Sequence, residues 1–439
     1  MPGDTVKSLA GTEDRLPGRW AYWRTLHRAA ARQFELSGYG EIGTPIIEDA
    51  RLFVKGTGET TDIVEKEMYT LDAGGGERIA LRPEGTPPAV RAYLESNLYK
   101  QRPFQKFWYA GPMFRRERPQ KARLRQFHQI GIEAIGGASP LLDAEVILLA
   151  AAIYREVGLK QCEVWINSIG CEKCRGPYRD TLRRWLEKSR AELCEDCQKR
   201  LERNVLRVLD CKNEQCARVI AGHPDCREHL CDDCRAHYAE LKRVLGRQGL
   251  AYKEDPRLVR GLDYYTRTVF EIKHPGLGAR NTICGGGRYD GLVELLGGPS
   301  VPCVGFALGV EASILAMEAE LGPAKEDVQA PAVYVVCFEE GARARCLELV
   351  QALRAAGVSA EMDYEGRSAK AQMKMADRLG SPYCFLIGER ELAEGQVLVK
   401  EMATGEQRSV PWDDAAREMQ STAGRASGQR PAGKGTEQE

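Results

Sequence analysis

Four groups of residues have types and spacing that suit chemistry. The first grips phosphate: within FRRERPQKARLRQFHQ, Arg115, Arg116, Arg118, Lys121, Arg123 and Arg125 fall inside 11 residues. An arginine fork offers two parallel N–H donors to two acceptor oxygens. Between two strands such a loop can hold a triphosphate above a sheet; alone, it is a solvated basic tip. The second is RGLDYYTRTVFEI, where Arg260 precedes Tyr264 and Tyr265. Adjacent strand residues face opposite sides, so one tyrosine is expected to line a site and the other to face the opposite layer. The alternative is an amphipathic strand with core aromatics. The third, GGGRYDGL (285–292), has three glycines that let backbone approach a ligand. It lacks both the Lys-Ser/Thr pair of a Walker loop and GxGxxG spacing.

The fourth group is cysteine. There are 15, an odd count, and ten lie between Cys162 and Cys234. Cys171/Cys174, Cys194/Cys197 and Cys231/Cys234 are CxxC pairs; Cys211/Cys216 and Cys226/Cys231 are spaced C-x4-C. A two-residue gap lets both sulfurs face one ion from a tight turn, as tetrahedral zinc requires. Cys171, Cys174, Cys194, Cys197, Cys211, Cys216, Cys231 and Cys234 would serve two ions, with Cys226, His223 and His229 as spare ligands. Spacing does not say which pairs share an ion, and buried free thiols in a small core are the alternative.

These residues need elements to position them. Residues 18–37 read as an amphipathic helix ending at Gly38, followed by a strand-like run into GTPIIED. Residues 77–90 read as strand, turn and helix start. Residues 105–136 read as two strands joined by the basic loop, with Phe127, Gln129 and Gly131 alternating against His128, Ile130 and Ile132. Residues 168–240 differ in texture and are expected to form an insertion with its own small core. Strand patterns resume at Leu258 and run through TICGGGRYDGL to VGFALGVEASILAME. A polar stretch, 322–331, reads as a linker. Beyond it, β-α-β-α-β alternation predicts a small three-layer domain with a mostly parallel sheet. The expected domains are 1–167 and 241–325 (two parts of one catalytic domain), 168–240, 332–413, and a disordered tail, 414–439.

The chain has 439 residues, 43% hydrophobic and 29% charged, with 63 Lys plus Arg against 63 Asp plus Glu. That excludes a wholly disordered, collagen-like or disulfide-stapled chain and allows roughly two to four domains. No run approaches the ~18 apolar residues of a membrane span. The first 30 residues carry no apolar signal core, so a reducing, cytoplasmic location is expected. With no global basic field, any nucleic acid must bind through local patches.

Taken together and in order, these segments resemble histidyl-tRNA synthetases, class II aminoacyl-tRNA synthetases of bacterial type. GTPIIED, with Pro45, resembles motif 1. FRRERPQKARLRQFHQIGIE resembles motif 2, and VGFALGVE the start of motif 3. RGLDYYTRTVFE and GGGRYDGL resemble the two histidine signatures. The resemblance implies an α+β fold with an antiparallel six-stranded catalytic sheet, a homodimer formed through motif 1, and a C-terminal α/β anticodon-binding domain. It implies activation of histidine by ATP, with Mg²⁺, to histidyl-adenylate, then acyl transfer to the terminal ribose of tRNA(His). It places Arg115 and Arg260 on the α-phosphate as catalytic cations, Arg123 on the γ-phosphate, and Glu117 and Phe127 on the adenine. Glu84, Gly85, Thr86 and Gln129 would bind the substrate's α-ammonium end. Glu133 and Tyr265, with Tyr264 beside them, would bind the imidazole, although Glu133 on pattern alone reads as a surface strand carboxylate. Arg367, Lys370 and Lys374 would meet tRNA, or are a solvated helix face.

Two other functions compete. One is a synthetase-like regulatory subunit of ATP phosphoribosyltransferase, a class that usually loses the C-terminal domain and much of motif 2. The other is a zinc-dependent nucleic-acid-binding module. There is also one departure from the family pattern: Glu311 is followed by Ala312, where motif 3 carries an arginine.

Overall fold

The computed structural model describes residues 6–59, 61–119, 123–278, 281–324 and 330–428, with side chains as far as 421. Lys121, residues 325–329 of the 322–331 linker and the chain beyond 428 lie outside the described residues. The chain divides into two units, Met1–Asp327 and Val328–Glu439.

The first unit opens with the helix Trp20–Leu36, which buries Leu26, Ala29, Ala30 and Phe34 at helical spacing. Its strands are β1 (Gly40–Glu41), β2 (Ile47–Asp49), β3 (Tyr69–Gly74), β4 (Glu77–Leu81), β5 (Gln105–Phe114), β6 (Gln126–Ile135), β7 (Glu163–Ser168), β8 (Tyr252–Glu254), β9 (Thr266–Lys273), β10 (Thr282–Arg288) and β11 (Cys303–Gly309). The main sheet runs β1-β5-β6-β11-β10-β9-β7-β8. Its six central strands are antiparallel neighbours, as expected. Two short strands, β1 and β8, extend it in parallel at the edges. The β5–β6 hairpin pairs Gln105 with Ile135 through to Phe114 with Gln126, so the basic loop is its tip. Three further strands form a small sheet, β2-β4-β3.

A layer of helices covers one face of the main sheet. Ile130, Ile132, Ile166, Phe270, Ile272 and Phe306 meet side chains of the helices Trp20–Leu36, Pro140–Glu156, Asp232–Arg247 and Val310–Leu321. The insertion has a small core, and that core is continuous with its surroundings. Tyr178, Leu182, Leu186, Leu201 and Val208 share one cluster with Val90, Tyr93, Tyr264, Tyr265 and Tyr289, while Tyr238, Leu241 and Leu245 join the helical layer. Three of its four α-helices (Glu172–Glu187, Glu195–Arg203 and Glu214–Ile220) pack on one another and on the turns Val205–Asp210 and Cys226–His229, and the core they enclose runs on into the first unit's main core.

In the second unit, β12 (Val333–Cys337), β13 (Ala360–Met362) and β14 (Tyr383–Ile387) are parallel, as the alternation predicts. The sheet is not mostly parallel, however. An antiparallel pair, β15 (Gln396–Glu401) and β16 (Gln407–Pro411), continues it from β14. Residues 415–428, expected within a disordered tail, begin the helix Ala415–Gly428. Ala415 and Met419, four apart, put one face of its first turn into the core, and that burial outweighs the polar composition.

Candidate active site

The uncovered face of the main sheet holds a cavity of about 120 Å³, lined by Glu84, Thr86, Tyr109, Arg115, Gln129, Arg260, Tyr264, Tyr265 and Tyr289 among others. Seven of these nine are residues singled out from the sequence.

Glu84 and Gly85 lead into the helix Thr86–Glu95. Gly85 has to be glycine because a Cβ there would lie 2.2 Å from the Tyr109 ring. Glu84, 3% exposed, accepts hydrogen bonds from Thr57 Oγ1 at 2.6 Å and the Tyr264 hydroxyl at 2.7 Å. Burial raises its pKa despite both bonds. Glu133, on β6, lies just behind the cavity surface and is 1% exposed. It accepts from Thr86 Oγ1 at 2.7 Å, from the Tyr109 hydroxyl at 3.2 Å and from the Tyr289 hydroxyl. Burial pushes its carboxyl up to about 8, against the pull of those three donors. Once ionised, the carboxylate offers about four acceptor positions, so three hydroxyls leave one for a ligand's N–H, which in turn favours the ionised form. The surface-carboxylate alternative for Glu133 is therefore wrong. Gln129 Oε1, at the cavity wall, is buried with no hydrogen-bond partner among the described residues. It is an acceptor awaiting a donor.

Two guanidinium groups share the cavity. Arg115 donates from Nε to the Pro83 carbonyl at 3.0 Å and stands 5.1 Å from the Phe127 ring centre. Arg260 donates to Glu271 Oε1 at 2.5 Å, while its buried Nε has no hydrogen-bond partner among the described residues. Burial works against its charge, but Tyr265 and Glu271 more than compensate and raise its pKa. The glycine run of GGGRYDGL makes room for it: a Cβ on Gly285 would fall 2.3 Å from Arg260 Nη2. Arg288 of the same run points away. It is 1% exposed and forks onto Asp143, with Nε–Oδ1 at 3.0 Å and Nη2–Oδ2 at 2.5 Å.

The expectation that Tyr264 and Tyr265 face opposite layers fails. They precede β9 in a turn, where strand alternation does not apply, so both line the cavity with ring centres 4.8 Å apart. Sequence reasoning missed Tyr109 and Tyr289. Tyr109 sits opposite Gly131 across the hairpin, and a Cβ on Gly131 would lie 2.6 Å from its hydroxyl. A glycine facing an aromatic residue across two paired strands was the available clue.

Glu117, Arg123 and Phe127 lie outside this cavity's lining, toward the hairpin tip, with Arg123 Nη1 2.5 Å from Glu117 Oε2. Glu311 accepts from the His128 amide at 2.9 Å, and Arg15 stands 3.5 Å from it. Ala312 packs beside Gly309. In the second unit, Arg367, Lys370 and Lys374 are exposed, the last two on the helix Ala369–Leu379. Arg367 pairs with Glu365 at 2.5 Å.

The cysteines gather as two quartets, Cys171/Cys174/Cys231/Cys234 and Cys194/Cys197/Cys211/Cys216, each with its sulfurs within 4.8 Å of one another. Of the spare candidates, Cys226 donates its thiol to the Ser168 carbonyl at 3.3 Å. His223 bonds the Ile220 carbonyl, and His229 packs beside the Tyr178 ring.

Comparison with known proteins gives a consistent result. The family model for histidyl-tRNA synthetase matches residues 11–312, and that for an anticodon-binding domain matches 332–422. A protein of Halothermothrix orenii named histidine–tRNA ligase is 49% identical over 420 residues, spanning 94% of this chain and 99% of its own. One of the same name from Thermotoga petrophila is 46% identical over 93% of this chain and 97% of its own. The crystal structure of apo Staphylococcus aureus histidyl-tRNA synthetase superposes with a TM-score of 0.79 at 37% identity, covering 95% of this chain and all of that one. A family match over some two thirds of the sequence, with near-half identity to full-length relatives, makes this chain a member of the histidyl-tRNA synthetase family.

Proposed function

We infer that the chain is a histidine–tRNA ligase of class II. It activates histidine with ATP, releasing pyrophosphate, and passes the histidyl group to the 3′ end of tRNA(His). The observation that carries the site reading is the cavity itself. Two guanidinium groups, an unpartnered amide oxygen and two buried carboxyl groups converge on a space the size of a small amino acid.

In this reading Glu84, Thr86 and Gln129 take the α-ammonium group. The imidazole N–H takes the remaining acceptor position of Glu133, and the Tyr265 hydroxyl donates to the other ring nitrogen. A side chain unable to fill both positions leaves buried polar groups unpaired, which supplies specificity. Arg115 and Arg260 flank the α-phosphate and stabilise charge as the histidine carboxylate attacks. Arg123 reaches the γ-phosphate, and Glu117 and Phe127 hold the adenine. Mg²⁺, when bound, neutralises phosphate charge. Glu67 and Glu117 fit it as oxygen donors, because they repel one another near Arg115 and Arg123, which adds to the burial that raises the pKa of Glu67.

The finer assignments follow. The exposed apolar Ile46 and Ile47 of motif 1 support a homodimer through that face. Arg367, Lys370 and Lys374 contact tRNA. The cysteine quartets have the ligand type that suits zinc, and thiolate ligands of that kind fit a reducing, cytoplasmic setting. The regulatory-subunit alternative is less supported, because motif 2 and the 332–422 domain are both retained. Histidine-dependent exchange of pyrophosphate into ATP tests the reading, and absence of exchange with any amino acid removes it.

A further inference from the structure

We propose that the two cysteine quartets bind two structural zinc ions, and that these ions hold the loop bearing Tyr264 and Tyr265 in place. The zinc assignment is independent of the catalytic reading; the second half rests on it.

The geometry suits a tetrahedral ion. Zinc–sulfur bonds of about 2.3 Å put the four sulfurs about 3.8 Å apart. The Sγ atoms of Cys171 and Cys174 are 3.7 Å apart, those of Cys171 and Cys231 are 3.9 Å apart, and those of Cys194 and Cys211 are 3.9 Å apart. A disulfide would need about 2 Å. Backbone donors also aim at the sulfurs, as they would at thiolates: the Cys231 amide donates to Cys174 Sγ at 3.1 Å and the Cys194 amide to Cys216 Sγ at 3.2 Å. A core of free thiols explains the first quartet poorly, because its cluster contains only Leu230 besides the four cysteines. One leucine and four thiols bury too little apolar surface to pin two distant chain segments.

Each quartet anchors a residue that holds the tyrosine loop. Cys171 and Cys174 begin the helix Glu172–Glu187, whose next residue, Arg175, is 5% exposed and donates to the Tyr265 carbonyl at 2.8 Å. Gly170, beside Cys171, accepts from the Arg267 amide at 2.9 Å. Between Cys197 and Cys211, Asn204 Nδ2 donates to Asp263 Oδ1 at 2.7 Å, next to Tyr264. Arg207 donates to Asp62 at 2.6 Å. The insertion thus grips both sides of the tyrosine pair.

Metal analysis of purified, chelator-rinsed full-length protein should give two zinc ions per chain. Cys174→Ser and Cys197→Ser should each lower this to one, and Cys226→Ala should leave two. Wild-type protein with one zinc or fewer overturns the pair of sites, whatever the variants do. For the second half, Arg175→Met and Asn204→Ala keep every cysteine. Both should retain two zinc ions and raise the KM for histidine in pyrophosphate exchange by about tenfold, with the KM for ATP little changed. An unchanged histidine KM in both overturns the positioning role. Wild-type protein with two zinc ions but no exchange would overturn the catalytic reading and, with it, the positioning role, and leave the zinc sites standing.

Discussion

Glu133 makes the function of the site costly to the fold, and Glu133→Gln measures that cost. An ordinary glutamate titrates near 4.5, whereas burial among Thr86, Tyr109 and Tyr289 moves this one to about 8. Below pH ~4.5 the carboxyl is neutral in both folded and unfolded chains and costs nothing. As pH rises from there through about 8, the unfolded chain gains a solvated charge that the folded one resists, so stability is lost. At 1.36 kcal/mol per unit, the penalty is about 2 kcal/mol at pH 6 and levels off at about 4–5 kcal/mol above pH 8.5. Glutamine keeps an acceptor oxygen, fills the same volume and does not titrate. The ligand-free variant should therefore outlast wild type in urea, followed by tryptophan fluorescence, by a margin that grows by about 2–3 kcal/mol between pH 6 and pH 8.5. It should also lose histidine-dependent exchange. A margin that is flat with pH, or a variant weaker than wild type at pH 8.5, would refute the reasoning about this carboxyl group.

Three further outcomes are expected. Ala312→Arg restores a cation at the motif 3 position and should lower the ATP requirement of exchange by roughly tenfold, the worth of one charge-assisted contact; no change would mean that another cation, such as Arg15 beside Glu311, already serves. Arg288→Met leaves the fully buried Asp143 carboxylate with His237 as its remaining side-chain partner and should cost about 3–5 kcal/mol in urea unfolding, with zinc content unchanged. If tRNA is held at two tethered sites, as proposed, deleting residues 332–439 should lower aminoacylation by about 100-fold or more while pyrophosphate exchange persists; equal loss of both activities would contradict the division of labour.

Residues whose chemistry is rare were legible from the sequence. Arg115 and Arg260 stood out by type and order, and the long hairpin by its alternation, while Glu84 and Gln129 were named only through the family resemblance; all four line one cavity. What escaped depended on tertiary geometry. Tyr109 fits because Gly131 opposite it leaves space, a property of strand register that a linear reading does not carry, and Tyr289 matters through its hydrogen bond to the buried Glu133. The tyrosine pair was misread because a strand pattern was extended one turn too far, into residues that precede β9. Cysteine spacing suggested two sites but not their membership, because Cys171 meets Cys231, 60 positions further along, only after the chain between them has folded back. The helix at 415 was missed because two anchoring residues, Ala415 and Met419, are invisible in an average composition.

The interleaved strand order also shapes the life of the newborn chain. Strand β6 finds its second neighbour only in β11, where Ile132 pairs with Phe306. At roughly 5–20 residues per second, a ribosome leaves that edge unpaired for about 10–35 seconds. Throughout the wait, the hairpin shows a full row of backbone donors and acceptors, flanked by Ile130, Ile132 and Ala134, to any passing strand. The helix Pro140–Glu156 emerges soon enough to cover a face, but it cannot cap an edge. Soluble yield in a cell should therefore respond to translation speed and chaperone supply between residues 135 and 303, independently of how stable the finished enzyme is.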